Sequence, residues 1–188
     1  SEDQASRMLL GAVYQKAGEM RLAQTTYTEA LNRSRAPDDL PIMLVLGAAY
    51  EEAGDLAEAL SMYQEALKRA PDDIRVIART VEVLYQDGQF EAAQQLLDQA
   101  AERDLHHADL QRLRFKGDLQ RGDLTSASDI LQEMVQQDPN DISAQFTLAL
   151  LRARQEKFDE AHAILTDLRA KSPDIVRITD AQIQIYLL

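Results

Sequence analysis

The chain has 188 residues, a formal net charge of −12 and no cysteine, which excludes disulfides and thiolate metal sites. Its acidity makes nucleic acids and anionic membranes poor partners. The 45% of apolar residues supports a folded core, and the 5% of aromatic residues argues against a β-sandwich or barrel.

No apolar run approaches the roughly 18 residues that a membrane helix needs, so we expect no direct membrane insertion. The absence of cysteine suits either the periplasm or the cytoplasm, and the compartment stays open.

A single repeat length runs through the chain in three residue types. Three glycines are spaced by 34 (88 − 54 and 122 − 88), and four alanines keep the same interval, with two prolines at that interval near the end. The members are Gly54, Gly88 and Gly122, then Ala59, Ala93, Ala127 and Ala161, then Pro139 and Pro173. Gly18 and Ala23 precede this register by 36 (54 − 18 and 59 − 23), because Ser34–Pro37 carries two extra positions.

Each unit is predicted to contain two helices. In the second unit, apolar residues at helical spacing predict helices over Leu40–Ala53 and Leu56–Arg69. Gly54 ends the first of them by a left-handed cap, and the second ends at Ala70-Pro71, before Asp72-Asp73 caps the next helix. The units are placed at 4–39, 40–73, 74–107, 108–141 and 142–175. An extra helix over 176–188 brings the total to eleven in one array over 1–188.

Small and large residues alternate where the two helices of a unit meet. Gly47 and Ala59 let the helices approach closely, and Tyr50 and Tyr63 are predicted to fill the space between neighbouring hairpins. One such hairpin cannot bury its apolar faces alone, so stacking of neighbouring hairpins must supply the core.

This pattern resembles the tetratricopeptide repeat family over nearly the whole chain. The family has Leu-Gly, Tyr, Ala, an aromatic residue and Pro at fixed positions. The second unit has Leu46-Gly47-x-x-Tyr50, Ala59-x-x-x-Tyr63 and Pro71, and the first unit has Leu10-Gly11-x-x-Tyr14 and Ala23-x-x-x-Tyr27. The fifth unit keeps Leu148-Ala149, Ala161, Leu165 and Pro173. The third unit has Thr80-Val81 instead of Leu-Gly, and the fourth has Arg114 and Asp118 where Leu and Tyr are expected. The resemblance implies an all-α, right-handed superhelical solenoid that binds proteins.

Catalytic and metal sites are not predicted. The neighbouring histidines His106 and His107 lack a third ligand at helical spacing, which favours a solvated turn. The pairs Asp38-Asp39 and Asp72-Asp73 recur between units, where helix capping explains them. No glycine-rich phosphate loop occurs, so we expect neither an enzyme nor a cofactor.

The resemblance implies that the first helix of each unit lines a concave groove that receives peptides. The first two units offer apolar positions there: Met8, Leu9, Ala12, Leu44, Val45 and Ala48, with Glu51 and Glu52 at the edge. The next three offer Arg75, Arg79, Arg112, Lys116 and Arg154, with Glu82, Gln86 and Phe146 among them. These cations predict a positive trough for an acidic segment. The alternative is that they are ordinary solvated side chains paired with Glu82, Asp109 or a neighbouring turn.

The predicted function is that of a scaffold or adaptor that docks a peptide or protein segment. One alternative is a structural module that self-associates through the helix 176–188, whose Ile183, Tyr186 and Leu187 lack a partner helix. Another is a regulatory array of a larger multidomain protein, such as an envelope or secretion assembly. The start at Ser1 is expected for a mature form or for an excised fragment. The apolar end favours a chain cut from a longer array, or a face that something else covers.

Overall fold

The computed structural model describes residues 2–34, 39–105 and 107–171. Over these residues the chain forms ten helices and no strand, which confirms the all-α prediction. The helices are α1 (Glu2–Lys16), α2 (Met20–Arg33), α3 (Leu40–Ala53), α4 (Leu56–Arg69), α5 (Ile74–Gln86), α6 (Phe90–Glu102), α7 (Ala108–Arg121), α8 (Leu124–Gln137), α9 (Ile142–Arg154) and α10 (Phe158–Lys171). The predicted helix 176–188 and the inserted residues 35–37 lie outside the described part.

Consecutive helices pair into hairpins whose first helices are α1, α3, α5, α7 and α9. From α3 onward these first helices begin one repeat length apart, at Leu40, Ile74, Ala108 and Ile142. As predicted, Gly54 ends α3 in the left-handed conformation, with φ of 83°. Glu156 lies one repeat length after Gly122 and adopts the same conformation with φ of 63°, although its side chain disfavours it.

Aspartates cap several of the helices. Asp73 accepts the backbone N–H of Arg75 at 2.9 Å, and Asp141 accepts that of Ala144 at 2.9 Å. The prediction that Asp39 caps by its side chain is wrong, because Asp39 makes no such bond and instead accepts the guanidinium of Arg69 at 3.3 Å. A charged donor from the end of α4 thus takes the place of the backbone N–H.

Tyrosine and glycine share the interior of the first two hairpins. Tyr63 is fully buried and lies against Gly47, where an added Cβ atom would stand 2.5 Å from Tyr63 Cε1. In the later hairpins a larger residue replaces the glycine and leucine replaces the tyrosine at the equivalent repeat positions: Val81 with Leu97, Phe115 with Leu131, and Ala149 with Leu165. In the fifth hairpin the volume that Ala149 adds over glycine is close to the volume that Leu165 lacks relative to tyrosine, which keeps this hairpin packed. Val81 and Phe115 add more volume than the facing leucine removes.

The fourth hairpin departs from this pattern. Asp118 occupies the position where the repeat expects tyrosine, and only 2% of the residue is exposed. Its carboxylate pairs with the guanidinium of Arg121 one turn later on α7. A buried carboxylate needs such a partner, because an unpaired buried charge is strongly destabilising.

The chain divides into two compact units, Ser1–Leu110 and Gln111–Leu188. The first contains α1 to α6, with Tyr27, Leu46 and Tyr63 in its core, and the second has Leu131, Leu148 and Leu165 in its core. The predicted single array and its right-handed superhelical course stay predictions. Within the described residues, no helix combines the length and the apolar character that spanning a bilayer would require.

Candidate functional site

The first helices of the first compact unit carry an exposed aliphatic surface. Met8, Leu9, Leu44 and Val45, which we name the aliphatic row, occupy equivalent positions on α1 and α3. Leu9 is 69% exposed. Leu44 and Val45 are half-buried, because one side of each packs against the core below α3. The row therefore offers apolar contacts from a backbone that the core holds in place.

Two buried tyrosines position polar side chains at the ends of these helices. The hydroxyl of Tyr63 donates to Glu51 Oε2 at 3.3 Å, and that of Tyr27 donates to Gln15 Oε1 at 3.2 Å. Burial raises the pKa of Tyr63, and the neighbouring Glu51 carboxylate raises it further. Burial and the Glu52 carboxylate likewise raise the pKa of Tyr27. Both hydroxyls stay protonated at neutral pH and act as donors.

A recess of about 260 Å³ lies between α3 and α5, beside the aliphatic row. Its lining, which we name the acidic pocket, consists of Ala48, Glu51, Glu52, Arg79 and Gln86. The amide of Gln86 donates to Glu51 Oε1 at 2.6 Å and so joins the two helices. This bond spans 35 residues of sequence and holds Glu51 from a second direction.

The predicted cations of the first unit already have carboxylate partners. Arg75 forms a bidentate contact with Asp73, from Nε to Oδ1 at 3.1 Å and from Nη2 to Oδ2 at 2.6 Å. These bonds lower the pKa of the Asp73 carboxyl. Arg79 donates to Glu82 Oε2 at 3.2 Å. For these two arginines the structure agrees with the alternative reading, in which each cation is paired nearby.

The second compact unit presents a different first-helix surface. Arg112 and Lys116 on α7 and Arg154 on α9 are exposed, and Phe146 is half-buried against the core of α9 and α10. Leu150 is 38% exposed, and the sequence analysis did not predict it as a site residue. It occupies the same repeat position as Lys116, so the repeat register could have identified it. The five predicted cations are divided between the two units, and their convergence into one trough stays a prediction.

An apolar strip on α1 faces away from the hairpin core. Leu10 is 45% exposed and Val13 is 56% exposed. The equivalent residues of the second repeat, Leu46 and Ala49, are 2% and 0% exposed, because α2 of the preceding hairpin packs on α3. Within the described residues no other helix covers Leu10 and Val13 to that extent.

The histidines do not form a metal centre in the described part of the chain. The ring nitrogen Nδ1 of His107 accepts the backbone N–H of Asp109 at 3.2 Å, and His162 lies 3.5 Å from the hydroxyl of Thr166. His106 lies outside the described residues. Among the residues that the structure describes, no three histidine, aspartate or glutamate side chains are grouped to hold a metal ion.

Comparison with known families decides what these hairpins are. Two family models, both described as tetratricopeptide repeat, match the chain, one over residues 50–115 and 118–183 and the other over residues 4–72. The chain belongs to the tetratricopeptide repeat family. The sequence-based prediction of this family is therefore confirmed, and membership assigns the chain to a class of protein-interaction scaffolds whose partners are proteins. A comparison with curated proteins gives no match.

Solved tetratricopeptide repeat structures share the fold at low sequence identity. A tetratricopeptide repeat protein from Parabacteroides merdae is similar over 100% of this chain and 73% of its own, with 16% identity and a TM-score of 0.79. MamA from Desulfovibrio magneticus RS-1 is similar over 94% of this chain and 98% of its own, with 17% identity and a TM-score of 0.71. YrrB, described as having an unusual peptide-binding site, is similar over 96% of this chain and 92% of its own, with 19% identity and a TM-score of 0.65.

Proposed function

We propose that the chain is an adaptor that docks a segment of a partner protein on the exposed face of its first helices, and that it is not an enzyme. The observation that carries this proposal is the distribution of exposed apolar side chains. Of the six large apolar residues exposed in the described part, three lie on first helices outside the α1 strip: Leu9, Ile142 and Leu150. Leu10 and Val13 form the strip, and Leu22 lies on a second helix. Exposed apolar surface of this kind is typical of protein-binding sites.

The acidic pocket adds a concave element to the same face. Its lining joins α3 and α5, two first helices, by the bond from Gln86 to Glu51. Peptide-binding proteins combine such a recess with apolar contacts and a few fixed polar groups, which orient the ligand. Because Glu51 is held from two sides, little side-chain entropy is lost when a ligand binds beside it.

For the second compact unit we propose contact with an acidic part of the partner. Arg112, Lys116 and Arg154 are exposed on α7 and α9, and Leu150 provides an apolar neighbour on α9. Positive side chains on a strongly acidic protein raise the association rate of an acidic segment and orient it. Reversing the charges of Arg112 and Lys116 is expected to weaken partner binding mainly at low salt.

The proposal is tested with the purified chain as bait. Partners captured from an extract of the source organism are identified by mass spectrometry, and the affinity of the purified partner is measured by calorimetry. Replacing the exposed Leu9 and Leu150 with glutamine should weaken binding about tenfold or more, since both lie on first helices. The control is Leu22→Gln, which removes a side chain exposed to 47% from a second helix. Equal losses for the control and the first-helix variants would contradict the proposal.

We propose self-association as a second candidate function, on the basis of the exposed strip on α1. Leu10 and Val13 occupy positions that a neighbouring hairpin covers in the second repeat, and a second copy of the chain can cover them in the same way. Sedimentation velocity over a range of concentrations tests this: Val13→Gln should shift a self-associating chain toward monomer, and Ile142→Gln should not. A wild type that is monomeric at every concentration rules this function out. The predicted self-association through 176–188 concerns residues outside the described part and stays a prediction.

A further inference from the structure

The aliphatic row and the acidic pocket are continuous along α3, and together they define a ligand more closely than the fold does. We infer that this part of the first-helix face binds an extended protein segment in which an aliphatic residue stands close to a lysine or arginine. The inference rests on the proposed docking function and specifies the chemistry of the docked segment. It differs from the acidic segment proposed for the second compact unit.

The spacing of the two surfaces fits such a segment. Val45 of the row and Ala48 of the pocket lie one turn apart on α3, and Glu52 follows one turn after Ala48. Four residues of helix span about 6 Å. Side chains on one face of an extended segment recur at about 6.6 Å, which is two residues. An aliphatic side chain over Val45 and Ala48 therefore places a basic side chain two positions away within reach of Glu52.

The charges around the pocket favour a cation. Glu51, Glu52 and Glu82 carry three negative charges against one positive charge on Arg79, a net charge of −2 (1 − 3). Arg79 is held by Glu82 at 3.2 Å, so its charge is already compensated. The net negative charge that remains, on Glu51 and Glu52, would repel a ligand carboxylate and attract an ammonium or guanidinium group.

Two carboxylates of the pocket can accept further hydrogen bonds. Glu51 receives one donor on each oxygen, from Tyr63 and from Gln86, and a carboxylate offers about four acceptor positions. Glu52 is exposed, and no ion pair within the described part of the chain includes it. Lysine carries three donors and arginine five, which suits them to both glutamates.

The first repeat supplies a built-in comparison. Its equivalent of Glu51 is Gln15, whose Oε1 accepts the hydroxyl of Tyr27 at 3.2 Å, close to the 3.3 Å between Tyr63 and Glu51. A glutamine therefore keeps the tyrosine bond, and the amide of Gln86 can rotate to stay paired with it. The variant Glu51→Gln removes the charge while preserving the local structure.

The test uses the full chain and a phage-displayed library of random dodecapeptides. Selections are run in parallel on the wild type, on E51Q/E52Q and on a control, E102Q/E133Q. The control removes two exposed glutamates from the second helices α6 and α8, which changes the net charge by the same amount. The affinities of enriched peptides, and of versions with lysine or arginine replaced by glutamine, are then measured by fluorescence polarisation.

We expect the wild type and the control to enrich peptides in which Lys or Arg accompanies Leu, Ile or Met. E51Q/E52Q should bind these peptides about three- to tenfold more weakly, and the difference should shrink at high salt. Enrichment of acidic or uncharged peptides, or equal binding by E51Q/E52Q, would overturn the inference while leaving the docking function in place. A library that yields no binder on any bait would count against the inference and against peptide docking together.

Discussion

The contact between Gly47 and Tyr63 gives a prediction whose size follows from the structure. A Cβ atom at position 47 would lie 2.5 Å from Tyr63 Cε1 and 2.8 Å from Cζ. Carbon atoms in contact prefer separations of about 3.5–4.0 Å, so Gly47→Ala is short of space by about 1 Å. Tyr63 is fully buried and bonded to Glu51, which leaves it little freedom to withdraw. Overpacking of this kind costs about 1–3 kcal/mol, against about 1 kcal/mol gained in helix propensity.

In a chain that also carries Tyr63→Leu, the effect of Gly47→Ala on stability should change sign. Tyr63→Leu alone removes ring contacts and the bond to Glu51, and it is destabilising in its own right. Once Tyr63→Leu has shortened the facing side chain, Gly47→Ala is expected to stabilise the chain by up to about 1 kcal/mol, because the alanine then fills free space in a helix. The double variant recreates the pairing of Ala149 with Leu165 in the fifth repeat, where both residues are fully buried.

The variants are compared by urea unfolding, followed by circular dichroism at the helical minimum. Tyr63→Phe is the control, since it removes the hydroxyl and keeps the ring. We expect Gly47→Ala to lower the midpoint in the wild type and in the Tyr63→Phe background, and to raise it or leave it unchanged in the Tyr63→Leu background. If Gly47→Ala has the same effect in all three backgrounds, the two residues do not limit each other and our account of the hairpin packing is wrong.

Three further predictions concern single residues. Glu156→Gly should stabilise the chain by about 1 kcal/mol in urea unfolding, because glycine adopts the left-handed conformation without strain, and an unchanged midpoint would contradict this. Because the pKa of Tyr63 is raised in the folded state, its contribution to stability is fully present below the ordinary tyrosine pKa of 10.0 and is lost as the pH rises further. Above pH 10.0 the free energy of unfolding of Tyr63→Phe should therefore fall less with pH than that of a matched Tyr14→Phe variant, and equal falls would contradict this. The lowered pKa of Asp73 works in the opposite direction, because its contribution to stability is lost as the pH falls. Asp73→Ala should lower the free energy of unfolding by about 1 kcal/mol at neutral pH, and this loss should vanish in acid, where the carboxyl is protonated in the folded and the unfolded chain. A loss that does not depend on pH would refute this.

The helices of the second repeat could be predicted from the sequence because their end signals are local. Gly54 ends α3, and Asp73 starts α5 by accepting a backbone N–H two residues away. Asp39 resembles Asp73 in sequence, yet it bonds Arg69, which lies 30 residues later. The choice between a backbone donor and a distant guanidinium depends on how two helices lie together, and a local pattern does not contain that information.

The candidate site was predictable in part. The repeat identifies which residues lie on first helices, and the aliphatic row follows from that register. The acidic pocket depends on Gln86 reaching Glu51 across 35 residues, and this requires the distance between α3 and α5. The alternative interpretation of the sequence named Glu82 as a partner for these cations, and the structure pairs Arg79 with it one turn away on the same helix. This pairing compensates a charge that the predicted trough would need.

The central claim is that the first helices, and not the second helices, contact the partner. Site-specific incorporation of benzoylphenylalanine tests it directly, with the photoreactive group placed in turn at Leu9 and Leu150 on first helices and at Leu22 and Gln95 on second helices. All four positions are exposed, so each can accept the group without disturbing the core. After irradiation with the captured partner, our account predicts cross-links from Leu9 or Leu150 and none from Leu22 or Gln95. Cross-links from the second-helix positions alone would contradict it.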